Sequence, residues 1–599
     1  VDNVTDVSSY ALATVIAVGV FGALLGILRY FHARRLRSAA GVVRRFDEKG
    51  KRDFQQTNGK DIEREGDELY KPPALYGIPY LAWILTSLII PAVFLILFFE
   101  NIASPYPVPA VGSQTWFAYR APTAFKLGGV AYQRHQVLLE RGKTVTPEHQ
   151  ETIRQALAAR RHVDRFQVWG TVLLLIVFCT ILLYHINILY PTSTEKNRNL
   201  ILIYTVCLVV VATAKIALFY ELFSPFLIPI PWAGMIIAIF INRRIVPLTM
   251  LMTLIFVSMA SDFNFHLFLV LLAGGLLPGA WVRRARKRSE VMFEAVVLGS
   301  VMVVVSVAYS MLTSQYLQIV SPSIIASFLN GIISGLMALM VLPFFELMLD
   351  LASPFRLMEL LDLNTPLLKE FFFKAPGTYQ HSMAVANIAE AVANEIGASG
   401  LLVRVGAYYH DIGKMFHAEY FIENQLGGKN PHDELGPVAS AAAVRSHVIL
   451  GVRLARQIGL PKSVIDFIPE HHGTSTIDYF YYKSKQLDSE MKSEKVFKYP
   501  GPKPQSKETA IVMLVDSVEA AFRVVQSRDE ETIRDLVNKV AMRKMEQGEL
   551  DRSGLTIGEL KKITDILTHI LKSNAHQRVA YPDQPEEAPG EGKASPTPG

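Results

Sequence analysis

VMFEAVVLGSVMVVVSVAYSML at 291–312 and PSIIASFLNGIISGLMALMVLPFFELML at 322–349 decide the architecture of this chain. Each stretch holds a single carboxylate, Glu294 or Glu346, and no basic residue. A bilayer core is crossed by about 20 consecutive apolar helical residues, so both qualify as spans. Working outward, the same template finds 166–189, 200–222, 226–242, 245–260 and 263–282 immediately upstream, a run of seven segments whose middle three are short or tightly linked. Two more candidates stand apart at 10–31 and 78–99. The composition agrees: of 599 residues half are apolar and only 19% are charged, too greasy for a disordered chain and unusual for a soluble enzyme of this length.

A net charge of +6 is modest, so its distribution carries the information. Lys and Arg near span ends stay on the cytoplasmic side of a membrane. The links bearing Lys196 and Arg198, Arg243 and Arg244, and Arg283, Arg284, Arg286, Lys287 and Arg288 alternate with links at 221–225 and 261–262 that lack them. One topology satisfies them all: 101–165 outside, entry near Phe166, and everything after Asp350 in the cytoplasm. The basic stretch 32–45 then lies inside and 1–9 outside. Anchoring explains the 283–288 cluster fully, so no nucleic-acid polymer is expected as a partner. The partner of the apolar part is the lipid bilayer, and the expected location is the inner (cytoplasmic) membrane. With no basic residue before it and no small-residue cleavage site after it, 10–31 reads as an anchor. The outer stretch contains Thr146-Pro147-Glu148, a helix start with Thr as N-cap, and shows no binding chemistry. The tail from Gln577 is rich in Pro, Glu and Gly and is expected to be disordered.

Beyond Asp350 the composition turns soluble and helical. Amphipathic stretches at 381–396, 401–411, 439–458 and 510–525 are separated by Gly and Pro breaks, and strand alternation is almost absent. Both cysteines, Cys179 and Cys207, lie inside apolar runs, which excludes a disulfide framework and a cysteine-built zinc site. The histidines fall into a pattern instead: His381, then His410-Asp411-Ile412-Gly413-Lys414, His447, the pair His471-His472, and finally Asp516 in Val515-Asp516-Ser517. Imidazole and carboxylate suit Fe, Mn, Zn or Co, and two adjacent ions need a carboxylate that bridges them. An adjacent His-Asp pair at a helix end supplies one terminal nitrogen and one bridging carboxylate, and His471-His472 presents two nitrogens to a neighbouring ion. Singly, each of these is an ordinary surface or packing residue; their combination at helix positions points to metal. Lys414, one turn beyond Asp411, either meets phosphate charge or is a solvated lysine. The run Asp478-Tyr479-Phe480-Tyr481-Tyr482-Lys483 either stacks an adenine or forms a packed helix face. His417, His432, His569 and His576 receive no role.

His381, His410-Asp411 and Asp516 resemble the H...HD...D pattern of the HD-domain metal-dependent phosphohydrolases, and His447 with His471-His472 resembles its two-metal branch. The flanking segments Pro376-Gly377-Thr378-Tyr379-Gln380-His381-Ser382, Glu470-His471-His472-Gly473-Thr474, Tyr499-Pro500-Gly501-Pro502 and Asp516-Ser517-Val518-Glu519-Ala520-Ala521 are similar to the bacterial seven-transmembrane HD-domain cyclic di-AMP phosphodiesterases, the PgpH-like family. The resemblance runs over about 166–571. With it the expected fold is all-α, a polytopic transmembrane helix bundle followed by a cytoplasmic all-helical HD domain. The expected divisions are 1–100, an N-terminal region with two spans; 101–165, a short outer segment; 166–350, the seven-helix bundle; 351–576, the HD phosphohydrolase domain; and 577–599, the tail.

The resemblance further implies hydrolysis of cyclic di-AMP to linear pApA at a two-metal site. His381, His410, Asp411 and Asp516 would hold one ion, and Asp411 would bridge to a second completed by His447, His471 and His472. His410, Asp411 and Lys414 would be the catalytic residues, with Lys414 and Tyr482 meeting the cyclic dinucleotide. The family metals are Mn or Fe, and a homodimer is a candidate assembly. The departure lies upstream, where the short 101–165 stands in place of the large outer domain usual in the family, and 1–100 falls outside the resemblance. Three competing readings remain: a cyclic di-GMP hydrolase, although Gly473-Thr474-Ser475 stands where a Gly-Tyr-Pro element is usual; a ppGpp hydrolase; and a non-catalytic membrane receptor with a nucleotide-binding cytoplasmic domain. A transport role would rest on Lys215, Glu221, Asp262 and His266 alone.

Overall fold

The computed structural model describes residues 108–575, apart from 116–118, 122–123, 134–135, 141, 160–164, 190–192, 221–222, 242, 262, 282–286, 315–316, 426, 428–429, 488–492 and 526–528. The readings made on 1–107, Glu221, Asp262, the 283–286 arginines, His576 and the 577–599 tail lie outside the described residues. Two compact units emerge, one made of residues up to Glu370 together with Arg453–Ser463, the other of Phe371–Val452 and residues from Val464 onward.

In the first unit the stretch before the apolar helices holds two short antiparallel pairs that the sequence did not reveal. Strand β1 (Tyr119–Arg120) pairs with β4 (Val137–Leu139), and β2 (Phe125–Leu127) with β3 (Val130–Tyr132). Strands of two or three residues are too short to display an alternation of apolar and polar positions. Helix α1 (Pro147–Ala159) starts at the expected proline, and Thr146 Oγ1 accepts the His149 backbone N–H at 3.2 Å. Tyr119, Leu139, Val145 and Ile153 form the small core between them.

Seven apolar helices follow, one for each segment of the run: α2 (Arg165–Leu189), α3 (Ser193–Tyr220), α4 (Ile230–Phe240), α5 (Val246–Ala260), α6 (Phe265–Leu276), α7 (Arg288–Leu312) and α8 (Leu317–Leu349). Helices α2, α3, α7 and α8 are long and apolar enough to cross a membrane on length and composition. Their side chains are apolar on the packed and on the open face alike, as Trp169, Leu173, Phe293, Val304, Leu336 and Phe344 show by their exposure. Such helices need apolar surroundings on both sides, which lipid supplies. The chain is a multi-pass membrane protein. Helix α4 has the opposite character: every side chain from Ile230 to Ile239 is buried, so its neighbours, not lipid, enclose it.

At 1.5 Å per residue, α4 covers only about half of a roughly 30 Å hydrocarbon core. The turn Pro225–Leu227 and the irregular backbone after it complete the path. Irregular backbone at membrane depth must find hydrogen bonds within the protein. Asn330 on α8, itself 1% exposed, provides them: its Nδ2 donates to the carbonyls of Phe226 at 2.7 Å and Ile228 at 2.9 Å, and Ser334 Oγ donates to its Oδ1. The α8 end is capped from outside the helix. Buried Arg198 on α3 donates to the carbonyls of Asp350 at 2.8 Å and Leu349 at 3.3 Å, while Asp350 adopts a left-handed conformation (φ 50°) and stops the helix. The chain then enters α9 (Pro354–Leu360), where Ser353 caps Arg356 N and Phe355 joins the bundle core.

In the second unit, α10 (Pro366–Lys374) leads into α11 (Pro376–Glu395) and α12 (Gly400–Tyr409); α13 (Pro437–Gln457), α14 (Lys462–Ile465), α15 (Phe467–Glu470), α16 (Asp478–Leu487), α17 (Lys507–Arg523), α18 (Glu530–Glu546) and α19 (Ile557–Ala575) complete the series. The four expected amphipathic stretches correspond to α11, α12, α13 and α17. Helix α13 also satisfies the length and composition test for a span, yet most of it is buried and it carries His447 in mid-helix. It is a core helix.

Helices α7 and α8 approach through glycine. A Cβ placed on Gly331 would lie 2.4 Å from Gly299 N and 2.5 Å from Ala295 O, backbone atoms that cannot move aside. Close approach of this kind is how spanning helices gain packing in the absence of a hydrophobic driving force. Gly331→Val is therefore expected to destabilise the bundle by at least about 1–3 kcal/mol, the usual cost of overpacking. A lowered unfolding midpoint of the detergent-solubilised chain would register it, and a midpoint equal to wild type would refute the close packing.

Candidate metal centre

The adjacent pair His410-Asp411 sits where α12 ends. Tyr409 closes the helix, His410 keeps right-handed helical angles, and Asp411 turns away at φ −110°, ψ 13° into the 3-10 helix Ile412–Phe416. The change of direction points the two side chains into the same interior. Gly413 then lets α13 come close: a Cβ there would lie 1.9 Å from the His447 carbonyl and 2.7 Å from Gly451 N. His447 reaches Asp411 because position 413 has no side chain.

Around Asp411, which is 1% exposed, the other residues converge. His410 Nε2 is 3.2 Å and His381 Nε2 4.0 Å from its Oδ2; His447 Nε2 is 3.4 Å and His471 Nε2 3.6 Å from its Oδ1. Asp516, from the middle of α17, places Oδ1 2.8 Å from His381 Nε2 and 3.9 Å from His410 Nε2. His472 completes the set, its ring stacked on Tyr499 at 4.0 Å with an interplanar angle of 17°. Ligand atoms lie within 4.8 Å of one another in three overlapping groups: Asp411 with His447, His471 and His472; His381 with His410 and Asp411; and His410 with His471 and Asp516. Asp411 belongs to the first two, which is where a bridging carboxylate must stand.

The ring orientations favour metal binding. Nδ1 of His410 donates to Ala407 O at 2.7 Å, Nδ1 of His447 to Val444 O at 2.5 Å, and Nδ1 of His471 to Phe467 O at 3.0 Å. A carbonyl can only accept, so each neutral ring carries its proton on Nδ1 and leaves Nε2 as a bare lone pair. Those three Nε2 atoms and Asp411 Oδ1 are buried without a hydrogen-bond partner. An unsatisfied buried polar atom costs about 1–3 kcal/mol. Four of them facing one point, all nitrogen or carboxylate oxygen, fit divalent metal ions.

Electrostatics keep His447, His471, His472 and the two carboxylates in the binding form, while His381 holds a proton that an ion would displace. Burial pushes His447 down to about 3, against the pull of Asp411; burial also lowers His471 and, reinforced by His471 and His447, holds His472 well below its ordinary value. Burial alone would raise Asp411, but Lys414 and His410 hold it well below the usual carboxylate range. Asp516 is held below that range by its hydrogen bond from His381, again against burial. His381 itself, opposed by burial but gripped by Asp516 and Glu519, is raised to about 10.

Lys414 takes a place the sequence did not foresee. Its Nζ lies 2.8 Å from Asp411 Oδ2 and 3.0 Å from Glu423 Oε1, and Glu423 Oε1 also accepts from Thr378 Oγ1 at 3.0 Å. Tyr482 lies on α16, more than half exposed, and its recorded ring contact is with Tyr481, not with the histidines. His417 and His432 stand outside the ligand groups, as His432 Nε2 meets Tyr420 O. Residues that sequence reasoning missed are Glu423, Tyr499 and Glu519. Tyr499 and Glu519 lay within the family-like segments, but only folding shows what they touch.

Two family models match the chain and together cover more than half of it: 7TM receptor with intracellular HD hydrolase over residues 165–353, and HD domain over residues 378–521. The chain is 33% identical over 478 residues to the cyclic-di-AMP phosphodiesterase PgpH of Listeria monocytogenes, covering 78% of this chain and 66% of that protein. It is 34% identical over 428 residues to the protein of the same name in Bacillus subtilis, covering 69% and 60%. It thus spans somewhat less than two thirds of the length of these relatives. A crystal structure of the L. monocytogenes PgpH HD domain in complex with cyclic-di-AMP is 44% identical, covers 35% of this chain and 98% of that one, and has a TM-score of 0.34. The chain belongs to the family of seven-transmembrane proteins with an intracellular HD hydrolase domain.

Proposed function

We propose that this protein is a membrane-bound, metal-dependent phosphodiesterase that hydrolyses cyclic di-AMP to pApA. The observation that carries the reading is the convergence of five imidazoles and two carboxylates on one buried point, with four of their atoms otherwise unsatisfied. The names of the relatives supply the substrate. His381, His410, Asp411 and Asp516 would hold one ion and His447, His471 and His472 a second, shared through Asp411; the metals are Mn or Fe. When bound, such ions polarise phosphoryl oxygens, lower the pKa of water and stabilise a departing oxygen.

The chain's own residues do the rest. Lys414 keeps Asp411 ionised, and its ammonium lies between Asp411, Glu423 and the Phe421 ring, where its charge would also meet a phosphate brought to the ions. Glu423 and Thr378 anchor that lysine. Tyr499, stacked on His472, fixes the plane of an imidazole that sits beside His471 and His447. The proposed divisions are 1–100, 101–165, 166–350, 351–576 and 577–599, and the basic links at Arg198 and at Arg243-Arg244 support a hydrolase on the cytoplasmic face of the inner membrane. A homodimer remains the proposed assembly.

Purified full-length chain in detergent with Mn is expected to convert cyclic di-AMP to pApA in preference to cyclic di-GMP and ppGpp, as product chromatography would read. Asp411→Ala should lower metal content and kcat/KM together, the latter by more than about 100-fold. Cyclic di-AMP retained intact by the Mn-loaded protein would leave a binding module instead, and hydrolysis of only another nucleotide would reassign the substrate.

Acid should weaken the chelator-treated protein. His447, His471 and His472 are neutral when folded and take up protons once unfolded, so their contribution to stability is present above pH 6.5 and lost as pH falls below it. His381, raised when folded, works the other way, but only as pH rises from 6.5 toward 10. Melting of the chelated protein at pH 5 should therefore occur below that at pH 7, with a smaller drop in His447→Gln. An equal drop in that variant would contradict the buried neutral imidazole.

A further inference from the structure

Three imidazoles of the pocket are oriented by the main chain of their own helical turns, but His381 is not. No main-chain carbonyl is recorded against its Nδ1 among the described residues; Glu519 Oε2 lies 2.8 Å away instead. Glu519 stands one helical turn after Asp516 on α17, so a single helix face presents the carboxylate at His381 Nε2 and another at its Nδ1. The second oxygen of Glu519 accepts from Arg523 Nε at 2.8 Å, one further turn along. Arg523 Nη2 also lies 3.1 Å from His381 Nδ1.

These neighbours make incompatible demands on one nitrogen. A guanidinium only donates, a carboxylate only accepts, and a ring nitrogen does one or the other according to whether it carries a proton. The rest of the pocket resolves the conflict. His381 Nε2 faces Asp516 Oδ1 and Asp411 Oδ2, the side on which the other ligand atoms gather. A ring that ligates through Nε2 carries its proton on Nδ1, and the acceptor within reach is Glu519. Arg523 then serves to hold the carboxylate, through the contact at Oε1.

We propose that Glu519 is a positioning residue of the metal centre: it accepts the Nδ1 proton of His381, fixes that ring with Nε2 turned to the Asp411–Asp516 side, and is itself held by Arg523. The inference rests on the metal assignment made above and adds a residue which that assignment does not contain. Its consequence is chemical as well as geometric. A carboxylate behind a ligating imidazole orients the ring and strengthens it as a donor, and removing such a partner typically costs 10–100-fold in metal affinity. His410, His447 and His471 draw their orientation from backbone that no side-chain substitution removes. His381, like His472 against Tyr499, takes its orientation from a side chain, so a single substitution should release it.

The test uses full-length chain in detergent, stripped with chelator and titrated with Mn against a competing chelating dye, with metal content measured on the same samples and melting followed on the metal-free protein. Glu519→Ala is expected to weaken Mn binding by about 10–100-fold, while the metal-free protein, melted above pH 10 where His381 is neutral in both states, keeps the wild-type melting temperature. Glu519→Gln, whose amide oxygen still accepts from Nδ1, should keep most of the affinity. Glu519→Ala loading Mn like wild type would overturn the inference and leave the metal assignment standing. Equal losses in both variants, together with a lower metal-free melting temperature, would also overturn it by assigning Glu519 to the fold. Wild-type chain that takes up no Mn would remove the metal assignment and the inference together.

Discussion

One carboxylate in the interior of the second unit sets the terms for everything around it. Asp411 is almost fully removed from water, and an ion so placed is several kcal/mol less stable unless charge and hydrogen bonds surround it. Lys414 compensates one oxygen, and the imidazoles of His447 and His471 gather about the other. Lys414 is then a buried cation needing its own partner, which Glu423 supplies, and Glu423 in turn accepts from Thr378. The requirement thus passes outward from a point on α12 to α11, to the segment after the 3-10 helix, and through the histidines to α13, α15 and α17.

The bundle obeys the same rule in another solvent. Lipid offers no hydrogen bonds, so the break before α4 is tolerated only because Asn330 reaches across from α8 to its carbonyls. The last carbonyls of α8 are met by Arg198, a buried arginine near the start of α3. Small residues do the remaining work: Gly299 and Gly331 let the backbones of α7 and α8 meet. In both units a residue without a side chain allows approach, and a polar side chain then satisfies what the approach has buried. Gly413 and Lys414 stand side by side as the same device in the HD domain.

Catalytic groups and structural groups are difficult to separate in such a centre. Lys414 has the hydrogen bonds of a structural brace, yet the same cation is what keeps Asp411 ionised for metal binding. Tyr499 shows the same economy. Its ring contacts both His472 and His447, so an aromatic residue from the loop before α17 steadies imidazoles from two other elements.

Much of this was legible in the residues themselves. Span length is a local property, fixed by the thickness of a bilayer, and all seven apolar segments became helices. Cap chemistry is local too, and Thr146-Pro147 starts α1 as read. The ligand types were legible because metal chemistry restricts them to imidazole and carboxylate, and because an adjacent His-Asp pair is unusual enough to notice. Distances in space were not. Glu423 carries no signature in its neighbourhood, and the family-like segments around Tyr499 and Glu519 do not say what those side chains touch, since a glutamate on a helix or a tyrosine in a proline-rich loop is an ordinary surface residue until packing buries it. Tyr482, picked for its aromatic run, lies on an exposed helix face, because that run fills only one side of α16. The sequence alone set which segments are helical, which are apolar enough for lipid and which residues are able to bind metal. Only the tertiary structure decided which oxygen faces which nitrogen, because that choice depends on groups far apart in the chain being buried together and having to satisfy one another.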